Sequence, residues 1–199
     1  MQFSNAIAIV RNQNAEWDRM KAEESQRQNL LRYGIMMLIV AYALLFVLTA
    51  VFSTVASLFV PFSAVHAVTS VVVQFALAIA SLYFVPQILA AIAPSFGGQN
   101  DALNALKLYV FAMTPAWIGQ TVGVIPLLGW LAALAGGIYA IYLFWQHISD
   151  ALSVPADKKI GYVIVSVLVL VVVFFVIGAI GEGIAAIVSP YSVIHHGIY

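Results

Sequence analysis

The stretch FAMTPAWIGQTVGVIPLLGWLAALAGGIYAIYLFWQHISDALSVPADKKIGY, Phe111–Tyr162, decides the fold. Two apolar runs meet at Pro126 with almost nothing between them. The second run leaves its apolar phase through Trp145, His147 and Asp150, and the stretch closes on Pro155, Asp157, Lys158 and Lys159. Each run is long enough to span a bilayer at about 1.5 Å of rise per residue. A tight turn at one end and a charged loop at the other therefore describe a membrane helical hairpin.

The rest of the chain agrees. Of its 199 residues 63% are hydrophobic and 8% charged, whereas a soluble domain carries about 25% charged residues. A soluble fold could not hide so much apolar surface. The formal net charge is zero, which gives no bulk attraction to nucleic acid, and no nucleic-acid partner is expected. The chain contains no cysteine, which excludes a disulfide framework, thiol catalysis and cysteine-based zinc sites. The first residues mix Arg11, Arg19, Lys21, Arg27 and Arg32 with Glu16, Asp18, Glu23 and Glu24. That is no secretory signal, so the first apolar run is expected to stay as an anchor.

Five apolar runs are predicted as spans: Tyr33–Val60, Ala64–Ala93, Ala105–Ile125, Leu127–Gln146 and Tyr162–Val188. The last is rich in valine, but a lone strand would leave its backbone unpaired in hydrocarbon, so a helix is expected there too. With the N-terminus in the cytoplasm, all eight Lys and Arg fall on one side. The N-terminal segment holds five of them, Lys107 follows the second run, and Lys158 and Lys159 follow the fourth. Pro61–Ser63, the turn at Pro126 and the tail from Pro190 to Tyr199 hold none. The positive-inside rule then predicts an N-in, C-out topology, with Trp130 at the outer interface and Tyr142 and Trp145 at the inner one. The expected organisation is a cytoplasmic segment 1–32, a membrane domain 33–188 and an external tail 189–199. In the first segment Asn14 suits a helix cap, with Glu16 and Asp18 in the first turn. Val10, Trp17 and Met20 share a face, which predicts an amphipathic helix along the membrane surface, anchored by Trp17 and Met20.

Several residues are candidates for function. Glu182 is the acid late in the last run, in GAIGEGIAA. An intramembrane carboxylate suggests a proton or cation site, but it stands about 30 Å beyond Tyr162, which favours an acid at the outer interface. Gln74, Gln87 and Gln120 lie in the second and third runs beside Pro86 and Pro115. Prolines inside helices free carbonyls and kink the chain, and such helices line transporter sites. Interhelical hydrogen bonding is the favoured alternative for the glutamines. Gly129, Ala133 and Gly137 recur every four residues, as do Ala132, Gly136 and Ala140 one position away. Small residues at that spacing allow close helix packing, within the chain rather than between copies. His147 and Asp150 share a helix face, but a metal site needs more ligands; adjacent His195 and His196 read as tail residues. Enzyme signatures are missing: no Gly-x-Ser-x-Gly, no His-Glu-x-x-His, no phosphate-binding glycine loop. No enzymatic activity and no cofactor or metal are expected.

Three segments add a resemblance. AEWDRMKAEE with LLRY (Leu30–Tyr33), the hairpin Thr114–Ile148, and VPADKKIGYVIV (Val154–Val165) resemble the Yip-domain family, the Ypt-interacting-protein-like five-span membrane proteins, and its bacterial branch most closely. The resemblance implies an all-α integral membrane fold in a bacterial inner membrane. It implies a membrane-organising or scaffold role through lipid or protein contacts, including other copies of itself. Eukaryotic members of the family work with small prenylated GTPases through a longer N-terminal region with an acidic-tyrosine-glycine-proline signature. This chain lacks both, so a GTPase partner is not expected. The alternative function is a small channel or transporter for an ion or solute, using Glu182 and the intramembrane glutamines.

Overall fold

The computed structural model describes residues 4–22, 27–56, 58, 64–121, 125 and 127–188. The predicted turns at Pro61–Ser63 and Pro126 and the tail with His195 and His196 lie outside them. Among the described residues every regular element is helical. Two short helices, α1 (Ser4–Arg11) and α2 (Gln13–Ala22), precede five longer ones: α3 (Arg27–Ala56), α4 (Ala64–Ile92), α5 (Ala102–Gln120), α6 (Leu128–Leu152) and α7 (Lys159–Val188). Four of them are long and apolar enough to cross a membrane: Arg27–Val55, His66–Phe96, Leu128–Leu152 and Lys159–Ile187.

The predicted third span, α5, is a different kind of helix. It has 19 residues, of which eleven are buried. Helices α1, α3, α4 and α6 all pack on it, and α5 with α6 is the most extensive pair in the molecule. At the other extreme is α7, where 11% of the most apolar stretch is buried, against 28% in each of the other three candidate spans. Val172, Phe175 and Val176 face outward, where lipid would cover them. This is why a strand-favouring composition still gives a helix: the backbone satisfies itself and β-branched side chains need no sheet neighbour.

Local chemistry sets the boundaries. Asp101 caps α5, its carboxylate accepting from the Leu103 and Asn104 amides at 3.0 Å each. After α4 the chain tightens into a 3-10 turn, Ala93–Phe96, with Pro94 inside it, and leaves through Gly97 at φ 78°. A Cβ at Gly98 would stand 2.7 Å from the Leu152 carbonyl oxygen, while the Gln99 amide donates to that same oxygen at 2.8 Å. The loop before α5 is thus laced to the loop after α6. Tyr162, fully buried at the start of α7, donates to the Leu89 carbonyl in the last turn of α4 at 2.8 Å. These contacts, with the lysines nearby, define a basic end of the bundle.

Helix lengths define the other end. At about 1.5 Å per residue α5 runs about 28 Å, against about 45 Å for the 30-residue α3 and α7. Its last residue, Gln120, donates to the Tyr42 hydroxyl at 3.4 Å, and Tyr42 sits midway along α3. Above that level the bundle loses its central helix. Pro86 and Pro115, both buried, lie within continuous helices.

Candidate functional site

Along the second half of α5, up to its end, a cavity of about 440 Å³ lies among α3, α4, α5, α6 and α7. Gln74, Gln120 and Glu182 all line it, so three of the candidate residues meet in space although they come from three helices. Gln74 donates from Nε2 to Glu182 Oε1 at 3.3 Å. His66 Nε2 stands 3.4 Å from Glu182 Oε2. The Glu182 side chain is 56% exposed, which agrees with an acid near the helix end rather than one sunk in the middle of the bundle. Deeper in, the lining turns to Tyr42, Ser81, Tyr109 and Trp117. The Ser81 and Tyr109 hydroxyls lie 3.4 Å apart, and the Tyr109 ring meets Trp117 edge-on at 6.3 Å. Gln87 is exposed and does not line the cavity.

The small residues of α6 divide between two tasks. A Cβ at Gly136 would lie 2.6 Å from the Pro115 carbonyl oxygen, and one at Gly119 would collide with the Ala132 carbonyl. The close seam between α5 and α6 therefore runs through Ala132 and Gly136. Gly129 is buried, but Ala133 lines the cavity and Gly137 has open space where its Cβ would be. One position along a helix turns a residue by about 100°, enough to separate a seam from a cavity wall.

A second constellation occupies the basic end. Trp17 and Met20 are each 2% exposed. Predicted as anchors in the lipid interface, both are instead buried against protein. Trp17 stacks on His147 at 4.7 Å and meets Phe111 edge-on at 5.2 Å. Its indole N–H donates to Asp150 Oδ2 at 3.3 Å, and Lys21 Nζ reaches the same oxygen at 3.3 Å. A buried indole needs both an apolar bed and an acceptor, and the end of α6 supplies the two together. Ile9 and Ala6 of α1 are buried beside it, while Val10 is exposed. Gln13 donates to Gln146 at 2.9 Å, and Gln146 donates to Asn14 at 2.7 Å. Burial pulls the Lys21 pKa down, but the hydrogen bonds and charges of Asp150 and Asp18 outweigh it and hold it above 10.5.

A family model for the Yip1 domain matches residues 7–177. The chain belongs to the Yip1 domain family. No curated protein and no solved structure matches it. The match covers Trp17, Gln74 and Gln120 but ends before Gly178 and Glu182, so the acidic rim of the cavity lies beyond the part this Yip1-domain protein shares with the model. Two partnerships escaped the sequence. His66 pairs with Glu182 because α4 and α7 run antiparallel, and counting inward from the ends of the second and fifth runs would have brought them level. His147 reads as a polar residue at a helix end, but in the fold Trp17 stacks on it and Phe111 meets it edge-on at 5.2 Å.

Proposed function

We propose that this Yip1-domain protein is a non-enzymatic organiser of a bacterial inner membrane, acting through protein or lipid contacts. In this reading α5 completes five spans, the N-terminus lies in the cytoplasm and the C-terminus outside. The distribution of Lys and Arg supports that orientation. The observation that carries the function is the contrast in depth of the central cavity. It has polar groups at its rim, but toward the basic end it meets a layer of fully or nearly buried side chains: Tyr109, Val110, Phe111 and Trp17. A blind cavity suits holding something, whereas conduction needs a path through.

Transport is the second reading, favoured by the meeting of Gln74, Gln120 and Glu182 in one space. Flux decides between them. Purified protein in sealed liposomes, read with proton- and potassium-sensitive dyes, is expected to match protein-free liposomes. Flux that Glu182→Gln or Gln120→Leu abolishes would overturn the organiser reading.

A further inference from the structure

The blind cavity shares a wall with a second one. A crevice of about 230 Å³ lies between α6 and α7 with α5 as its floor, lined among others by Ala112, Gly137, Phe144, Val167 and Leu170. It shares Tyr109, Met113, Ala116 and Phe174 with the larger cavity. The combined lining changes character along α7. Val167, Leu170 and Phe174 form the inner wall, then Gly178, then Glu182 at the rim. From Val167 to Gly178, where the apolar wall ends, is about 16 Å of helix, close to the roughly 15 Å that one leaflet of a hydrocarbon core about 30 Å thick accounts for. An apolar slot of one leaflet's depth, topped by polar groups, has the proportions of a single lipid chain below its head group.

We propose that these adjoining cavities bind one membrane phospholipid with an ammonium head group. Its acyl chain lies in the α6–α7 crevice and its ammonium lies at Glu182. Charge selects the head. Glu182 is the one charged residue among the described residues lining either cavity, and no Lys or Arg lines them to hold an anionic head group. Gln74 donates a neutral hydrogen bond to the carboxylate, and Gln120 and Tyr42 line the same cavity. Two glycines keep the space open. At Gly178, which lines the upper cavity, and at Gly137, which lines the crevice, a Cβ would meet nothing within 4 Å. At Gly119 and Gly136 backbones touch; here the glycines border empty volume. The inference rests on the non-conducting reading above and names the lipid that reading leaves open.

The test uses the full chain extracted from bilayers of equal phosphatidylethanolamine and phosphatidylglycerol, with retained lipid counted by native mass spectrometry. One phosphatidylethanolamine per chain is expected, retained about tenfold over phosphatidylglycerol, which corresponds to about 1.4 kcal/mol. Gly137→Leu and Gly178→Leu each put a side chain where a Cβ would meet nothing within 4 Å, and each is expected to cut retention about tenfold while leaving the melting temperature unchanged. Glu182→Gln is expected to keep a bound lipid but bring the two head groups to parity. Equal retention of both lipids by the unaltered protein, or retention unchanged in both leucine variants, would mean surrounding lipid only and would overturn the proposal. Liposome flux on the same preparations is scored separately. Flux with selective retention sinks the non-conducting reading alone, and neither flux nor selective retention sinks the lipid site alone.

Discussion

At the basic end, Gln99 donates to the Leu152 carbonyl, Tyr162 reaches the Leu89 carbonyl and Trp17 lies stacked on His147. At the opposite end, the described long helices enclose a cavity whose rim carries Glu182, more than half exposed. The same apolar helices run through both ends, so hydropathy does not make the difference. Residues that force backbones together do. Gly98 stands where a methyl group would strike the Leu152 carbonyl, and Gly97 and the Asp101 cap fix the turn that brings the chain against it. In hydrocarbon, helices gain nothing from hiding apolar surface, so close packing and hydrogen bonds decide which parts cohere. The basic end has both. The cavity end keeps about 440 Å³ of space between its helices.

The sharpest way to break this contrast is to remove the plug at the basic end. Trp17→Ala should cost about 3–5 kcal/mol of local docking energy. Hydrogen exchange in detergent should rise across residues 4–22 while α7 stays protected. If α7 loosens equally, the two ends are not independent. Gly136→Leu comes next, at about 1–3 kcal/mol from overpacking the α5–α6 seam, read as a lower melting temperature. Gly137→Leu, one position further, should stay within about 0.5 kcal/mol. The pair measures directly how sharply seam and cavity are divided.

Much of this was legible in the sequence, and the gaps have physical causes. The hairpin around Pro126 gave α5 and α6 because periodic apolar runs with small residues are hard to satisfy otherwise. The glutamines and Glu182 stood out because polar groups in lipid are expensive, and three of the four meet in the cavity. The special standing of α5 was not visible. Ala105–Ile125 reads as an ordinary third span, whereas in the fold eleven of the nineteen residues of α5 are buried inside the bundle. The N-terminal segment misled for a related reason. Trp17 and Met20 on one face fit a lipid interface and a protein groove equally well. Only the acceptor at Asp150, more than 130 residues away, tells them apart.

Asp150 offers a smaller effect. Asp150→Asn keeps an oxygen for the Trp17 indole but loses the charge that faces Lys21. An exposed charged pair is worth about 0.2–1 kcal/mol, so N-terminal exchange should rise severalfold at most. The sign of its pH dependence is fixed. A lysine whose pKa is raised on docking stabilises the docked form fully below 10.5 and loses that contribution as pH climbs through the higher value. Docking should therefore be flat from neutral pH to about 10, weaken above it, and lose that step in Asp150→Asn.

Glu182→Gln should do least to the fold. Its carboxylate is half in solvent, and its partners His66 and Gln74 are within reach of a neutral amide as well. The expected change is within about 0.5 kcal/mol, with no shift in exchange at residues 4–22. A melting-temperature loss as large as that of Gly136→Leu would mean that the Glu182 pairs hold α4 and α7 together as firmly as the loops do at the basic end. The cavity would then be a rigid chamber, and the open end of this bundle would be no looser than the laced one.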